Sequence, residues 1–195
     1  MGLLGIREKK MRVFLTAVFG LVLLSQAAHA DEDSGLYFGT GAGQFSVKNL
    51  DGNTTGYKVL FGGDFNPYFG IEAAYIDAGT RSAAVYDPNS GVSGYGENRV
   101  SAAQLSFLGK IPLSRYFALF GRVDSIYWRE DVSITTYDPY GNGSWYSGSE
   151  TGTGFGWGAG GEASWGHFAV RAEFEQSNIN SYTYQLISAS LIYRY

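Results

Sequence analysis

Charged side chains recur at every second position in several short segments of this sequence. Arg122 is followed two residues later by Asp124, and Arg171 by Glu173 and Glu175. Such groups can form ion pairs, line a path for water and ions, or act as acid and base in catalysis. Side chains alternate between the two faces of a β-strand, so this spacing predicts a common face for the charges. By the same alternation the face holds Glu72, Arg122, Asp124, Glu162, Arg171, Glu173, Glu175 and Arg194.

Catalysis has little support among these residues. After residue 30 the only histidine is His167, in a predicted turn, and the chain has no cysteine. Thiol chemistry and disulfides are therefore excluded, and one histidine with scattered acids makes neither a hydrolase site nor a metal site. The glycines from Gly158 to Gly161 lie within a predicted strand with no helix after it, so they are not a phosphate loop. We predict no enzymatic activity, no metal and no cofactor.

A hairpin over residues 156–175 shows how strands position the charges. One face of the hairpin is apolar and includes Trp157 and Phe174, whereas the opposite face carries small residues with Glu162 and Arg171. A soluble protein would bury the aromatic face and expose the charges to water. A barrel in lipid does the reverse.

Residues 36–195 divide into eight segments with this alternation. Tight turns at Asn66-Pro67, Gly109 to Arg115 and Gly166-His167 alternate with longer connections. Two of the longer connections, residues 77–98 and 129–153, are rich in polar residues and are predicted to be long loops. Short turns on one side and long loops on the other are typical of outer-membrane barrels. We predict an all-β fold, an eight-stranded antiparallel up-and-down transmembrane β-barrel.

The first 30 residues have the parts of a secretory signal peptide. A positive start at Met11-Arg12 precedes an apolar run from Val13 to Leu24 and a small-x-small site at Ala28-His29-Ala30. The run is too short to cross a bilayer as a helix. Met11 is an alternative start that we favour; otherwise residues 1–10 extend the n-region.

Residues 31–195 are predicted to form one barrel domain. They contain 10 basic and 17 acidic residues, a net charge of −7, which argues against nucleic acid as a partner. A secreted, lipocalin-like eight-stranded barrel is the alternative to a membrane barrel. Three features favour the membrane: the small and charged faces converge on a narrow interior, the last strand ends on aromatic Tyr195, and no helix is predicted after it.

Four segments occur in a characteristic order: Gly62 to Glu72, Gly160 to Glu162, Arg171 to Phe174, and Leu191 to Tyr195. In order and spacing they resemble the second-to-third hairpin and the sixth, seventh and last strands of OmpA-type outer-membrane barrels. The resemblance covers about residues 35–195 and implies a small monomeric barrel in the outer membrane. Larger members of that family also carry a C-terminal peptidoglycan-binding domain, which we do not expect here.

The resemblance also implies an interior network of ion pairs. Carried over to this chain, its members match Glu72, Arg122, Glu162, Arg171 and Glu173. The family's interior lysine on the fourth strand has no match, because Gln104 to Leu108 is uncharged. The exchange of ion-pair partners proposed for gating in the family therefore lacks that residue here.

The interior of an eight-stranded barrel is nearly filled by side chains. Charges in that space must pair, because an unpaired ion in a low dielectric is costly. We interpret the charges as a structural plug that also sets strand register, with a narrow pore as the alternative. Five acids and three bases on the charged face predict a preference for cations if water passes.

Aromatic residues in the two predicted loops are candidates for contact with a partner. One interpretation is a solvated loop with scattered aromatics; the other is adhesion or ligand contact, since aromatics are enriched in binding surfaces. The candidates are Tyr86, Tyr95, Tyr137, Tyr140, Trp145 and Tyr146.

The last strand carries apolar residues at every second position and ends on Tyr193 and Tyr195. This pattern resembles the recognition signal for the outer-membrane barrel-assembly machinery.

Together these observations predict a non-enzymatic integral outer-membrane protein with a structural or surface-interaction role, exported through a cleaved signal peptide. The alternative is a small cation-preferring pore or solute conduit. Expected partners are outer-membrane lipid, the assembly machinery, and an extracellular ligand or host surface at the long loops. We expect a monomer.

Overall fold

The computed structural model describes residues 35–48, 53–88, 91–138, 140–179 and 182–195. The predicted signal peptide lies outside these residues. Within the described ranges, no helix has the length and hydropathy needed to cross a membrane. The strands are β1 (Gly35–Val47), β2 (Thr54–Asn66), β3 (Phe69–Asp87), β4 (Val92–Pro112), β5 (Phe117–Tyr137), β6 (Gly143–Trp165), β7 (Phe168–Ile179) and β8 (Tyr182–Arg194).

Each strand pairs antiparallel with its neighbours in sequence, and β1 also pairs with β8. The ring is therefore closed, and no strand within it has a free edge. The predicted all-β, eight-stranded antiparallel barrel is confirmed.

Three tight turns and both ends of the described chain lie at one end of the barrel, which we call the turn end. At the first turn the Asn66 side chain accepts hydrogen bonds from the backbone amides of Tyr68 and Phe69, at 2.8 and 2.9 Å. Gly166 takes a φ of 59° in the third turn, where glycine is favoured. The middle turn is shorter than predicted, because β4 continues through Pro112.

The opposite end of the barrel, which we call the hairpin end, differs from the prediction. The two long polar loops predicted there are wrong. Pairing between β3 and β4 continues to Asp87 and Val92, and pairing between β5 and β6 to Tyr137 and Gly143. The other strands stop earlier: β2 ceases to pair with β3 at Asp77. Residues 80–87, 92–99, 129–137 and 143–151 therefore form a four-stranded projecting sheet beyond the ring.

Serine, threonine and glycine made these segments look like loops. Yet four adjacent strands can satisfy one another's backbone hydrogen bonds with water on both faces, so an apolar face is unnecessary for pairing.

A β-bulge marks the base of the projecting sheet. The β3–β4 register shifts between Asp77 and Thr80, and Gly79 has a φ of 77° there. The Asp77 carboxylate accepts a hydrogen bond from the Gly79 amide at 2.9 Å and pairs with Arg99. A bulge of this kind bends the strand and tightens its twist, which redirects β3 where its neighbour β2 ends.

The two faces of the barrel wall differ in chemistry. Large apolar side chains on the outer face are exposed, including Phe107, Val123, Trp157 and Ile187. Charged side chains such as Glu72 and Arg171 are buried inside. This is the arrangement of a barrel in lipid and the reverse of a soluble barrel.

Candidate functional site

Arg122 of β5 lies at the centre of a network of charges inside the barrel. Its Nε donates to Asp124 at 2.8 Å, and its Nη1 donates to Glu72 and Glu173, each at 3.0 Å. Its Nη2 donates to the Ser106 hydroxyl. These contacts satisfy the guanidinium fork on four sides, so one arginine holds β3, β4, β5 and β7 together.

Lys58 of β2 joins the network on the side of the hairpin end. Its Nζ donates to Glu173 at 2.7 Å and to Glu175 at 2.8 Å. The second Glu175 oxygen accepts from the Gln104 amide at 2.8 Å. Lys58 is fully buried, and two carboxylates with short contacts offset the cost of placing the ammonium there.

Arg171 of β7 links the centre to the turn end. It pairs with Glu72 at 2.5 Å and with Glu162 at 3.0 Å. The guanidinium carbon lies 4.9 Å from the ring centroid of Phe120 and 5.5 Å from that of Tyr37, within range of a cation–π attraction. The Tyr37 hydroxyl donates to Glu72 at 3.1 Å, which brings β1 into the network.

The network closes near the turn end. Arg194 of β8 pairs with Asp64 at 2.7 Å and also with Glu162. Lys110 of β4 pairs with the other Asp64 oxygen at 2.6 Å. With these contacts every one of the eight strands contributes a side chain to one connected set of charges and hydrogen bonds.

The structure places all eight charges of the predicted inner face inside the barrel. It adds Lys58, Asp64 and Lys110, which sequence reasoning missed. On β2 the inward residues Lys58, Leu60, Gly62 and Asp64 alternate with outward ones. The alternation of faces along a strand would therefore have placed Lys58 and Asp64 inside the barrel. Lys110 lay in a predicted turn.

The added residues change the charge balance of the interior. The ion pairs involve five cations and six carboxylates. The count of five acids against three bases was therefore incomplete, and the predicted cation preference loses most of its basis. The pairing also differs from the family expectation, because a lysine of β2 supplies the cation absent from the middle of β4.

Glycines of β6 make room for this network. Gly152 lies directly opposite Trp128, and Gly158 directly opposite Arg122. A Cβ at Gly158 would lie 3.1 Å from the Arg122 Cγ and Cδ atoms, closer than normal packing allows. The small face of the hairpin is thus the space occupied by the large inward side chains of β5.

In the part of the chain that the structure describes, no three His, Cys, Asp or Glu side chains are arranged to hold a metal ion. His167 lies at the turn end, with Nδ1 3.0 Å from the Arg194 carbonyl oxygen, outside the charge network.

Five of the six candidate contact residues lie in strands of the projecting sheet, whereas Tyr140 lies in a turn. The pairings Tyr86–Ser93–Tyr137 and Tyr95–Thr135–Trp145 follow one another across the sheet. Because Ser93 and Tyr95 are two residues apart, these four aromatics share a face, which continues the outer face of the barrel. Tyr146 pairs with Ile134 on the opposite face.

A hydrogen-bonded turn caps the β5–β6 hairpin. The Asp138 carboxylate accepts from the Asn142 side chain at 2.8 Å and from the Asn142 and Tyr140 amides at 2.7 and 3.0 Å. These hydrogen bonds, with that of the Asn142 side chain foremost, hold the pKa of Asp138 below its usual value.

Tyr193 and Tyr195 lie in an aromatic cluster beside the closing pair of strands, β1 and β8. The Tyr193 ring is 5.4 Å from those of Phe168 and Tyr195 and 5.8 Å from that of Phe38. The Tyr195 amide donates to the Leu36 carbonyl at 3.0 Å. The two tyrosines therefore contact both neighbours of β8.

Solved structures share this architecture at low sequence identity. Neisserial surface protein A matches with a TM-score of 0.59 and 13% identity over 84% of this chain and 100% of its own. OprG from Pseudomonas aeruginosa matches with a TM-score of 0.50 and 8% identity over 86% of this chain and 98% of its own. Ail from Yersinia pestis, solved with the heparin analogue sucrose octasulfate, has 17% identity, a TM-score of 0.47, and coverage of 84% and 98%.

No curated protein sequence matches the chain. The model of the outer membrane protein beta-barrel domain matches residues 14–195. The match agrees with the closed ring, the apolar outer face and the charged interior, and the secreted lipocalin-like alternative is wrong. The chain belongs to the outer membrane protein β-barrel family and is a protein of the bacterial outer membrane.

Proposed function

We propose that the protein is a closed, non-enzymatic outer-membrane barrel whose projecting sheet contacts partners outside the cell. The charge network that joins all eight strands supports the first claim, that the barrel is closed. Glu72, Arg122 and Arg171 are buried, and the Glu72 carboxylate pairs directly with both arginines. Opening a path for ions would require breaking buried ion pairs, each of which costs about 3–5 kcal/mol when one partner is lost.

The projecting sheet supports the second claim, that the protein contacts partners outside the cell. The hairpin end faces outward if the barrel has the usual orientation, with short turns in the periplasm. Tyr86, Tyr95, Tyr137 and Trp145 then form an exposed aromatic face above the membrane. Tyrosine and tryptophan are enriched at protein interfaces because they offer large contact area at low entropic cost.

Conductance in planar lipid bilayers tests the plug. The proposal expects no resolved channels from the intact protein, because the interior is filled by paired charges. The alternative is a small pore; it would be supported by stable channels whose conductance changes in Arg122→Ala or Arg171→Ala. Channels with cation selectivity would support the conduit predicted from the sequence.

Adhesion of bacteria that display the protein tests the projecting sheet. A non-adherent Gram-negative strain would display one of three proteins. These are the intact protein, the double variant Tyr137→Ser and Trp145→Ser, and the control Tyr146→Ser on the opposite face of the sheet. The proposal expects binding to epithelial monolayers to be lost in the double variant and kept in the control. Equal adhesion of all three, at equal surface levels, would contradict it.

A further inference from the structure

Between the charge network and the hairpin end, the interior of the barrel changes from charged to apolar side chains. Toward the hairpin end, the inward side chains are apolar and pack into one cluster. Val100 and Tyr184 pack against it. The cluster consists of Phe45, Ile76, Ala78, Ala102, Ile126, Trp128, Ile179 and Leu186.

Two adjoining cavities lie in this apolar zone. The lower cavity has a volume of about 50 Å³ and is lined mainly by the apolar cluster, with Glu175 of the charge network among its lining residues. The upper cavity has a volume of about 190 Å³ and lies where β1, β2 and β8 end. Phe45, Ala78, Val100 and Tyr184 line both, so the two form one pocket above the network.

The lower cavity is suited to an apolar guest. Cavities lined by aliphatic and aromatic side chains stay dry and take up apolar molecules, as an engineered cavity of about 150 Å³ does with benzene. The lower cavity is smaller, at about 50 Å³, so it accommodates only the end of an aliphatic chain. Glu175 cannot attract a cation into the cavity, because both its oxygens are already engaged by Lys58 and Gln104. The charge network therefore forms the floor of a blind pocket.

The upper cavity has a polar rim. Asn98 donates from its Nδ2 to Glu130 at 2.6 Å, and Arg81 and Thr54 lie on the same rim. The Asn98 Oδ1 atom is buried and accepts no hydrogen bond from any described residue. A buried acceptor without a donor is destabilising, and a guest that supplies a hydroxyl or amide proton would remove that cost.

We propose that this pocket binds a small amphipathic molecule with a short aliphatic chain and an uncharged head group that donates a hydrogen bond. The end of the chain occupies the lower cavity, the rest of the chain lies against Phe45, Val100 and Tyr184 where the two cavities adjoin, and the head group donates to Asn98 Oδ1. Among the described lining residues the rim carries one cation and one anion, Arg81 and Glu130, and this balanced pair favours neither an acid nor an amine. Because the floor is closed, the molecule enters and leaves from the hairpin end.

Titration of the full chain in phospholipid nanodiscs with 1-hexanol tests the proposal by NMR of isoleucine methyl groups. Ile76, Ile126 and Ile179 line the pocket, whereas Ile187 faces lipid. We expect saturable shifts at the three pocket methyls and only a linear drift at Ile187, which reports partition into the bilayer. Hexane, which lacks the donor, should bind roughly fivefold more weakly at equal free concentration.

A pair of variants on one strand separates the pocket from the membrane. Ala102→Leu fills the lower cavity, and its neighbour Ala103→Leu changes the outer face. The saturable shifts should be lost in Ala102→Leu and kept in Ala103→Leu, with heat-dependent gel mobility confirming that both barrels are folded. Linear shifts at every isoleucine, or saturable shifts that survive in Ala102→Leu, would overturn the pocket. Equal affinity for hexane and hexanol would overturn the head-group assignment.

Discussion

The side chain of Arg122 lies over Gly158, its direct partner across the β5–β6 pair. The absence of a side chain at Gly158 gives the arginine stem room to reach the barrel centre. There its guanidinium contacts Glu72 and Glu173 from two other strands. One glycine on β6 and one arginine on β5 thus act together to place the central charge.

Gly158→Val should destabilise the barrel. The new side chain would collide with the Arg122 stem and with the Phe174 carbonyl oxygen, 2.8 Å from the position of a Cβ. Overpacking of this kind costs about 1–3 kcal/mol, measurable as a shift in urea-dependent unfolding followed by gel mobility. Gly161→Val, on the outer face of the same strand, is the control and should unfold like the parent protein.

Arg122→Met should be more damaging than the loss of an exposed arginine. It leaves Glu72, Asp124 and Glu173 buried with fewer partners, at a cost of about 3–5 kcal/mol. Arg129→Met breaks an ion pair with Asp131 whose side chains are 57% and 44% exposed, so it should cost about 0–1 kcal/mol. Similar unfolding midpoints for the two variants would show that the network contributes no more than surface pairs.

Deletion of Tyr195 separates assembly from stability. If Tyr195 is read by the assembly machinery, outer-membrane levels should fall several-fold in cells. Refolding of the purified chain into detergent should change less, because Tyr193 keeps its contacts with Phe38 and Phe168. Unchanged levels in cells would refute the recognition role, and equal losses in both assays would assign Tyr195 to closure of the barrel.

The turn at Asp138, which caps the β5–β6 hairpin, should lose order only at acidic pH. A carboxyl group whose pKa is lowered by folding stabilises the fold fully above its unfolded pKa, about 3.9, and less as the pH falls through its lower folded pKa. The Asn142 and Tyr140 amide signals should therefore hold steady down to about pH 4 and move below it. Asp138→Asn should abolish this titration; a midpoint above pH 4 in the parent protein would contradict the assignment.

Alternation of residue types and the order of the tight turns predicted the ring. The small and charged face of residues 156–175, the tight turns at Asn66-Pro67 and Gly166-His167, and the eight segments are local patterns. Each is present in the ring, although β3 to β6 continue beyond the predicted segments. The inward positions of Glu72, Arg122 and Arg171 follow from the same rule, because a strand can place a side chain on only two faces.

Two features depended on contacts between distant residues. Residues 77–98 and 129–153 have the composition of loops. Within them, residues 80–87, 92–99, 129–137 and 143–151 form strands because each of these four segments pairs in register with a neighbouring one. The partners of each charge were also not predictable: Lys58 meets Glu173, 115 positions away in sequence, and Arg171 meets Glu72, 99 positions away. Strand alternation determines the face on which a side chain lies, but only closure of the barrel determines which side chain it meets across the interior.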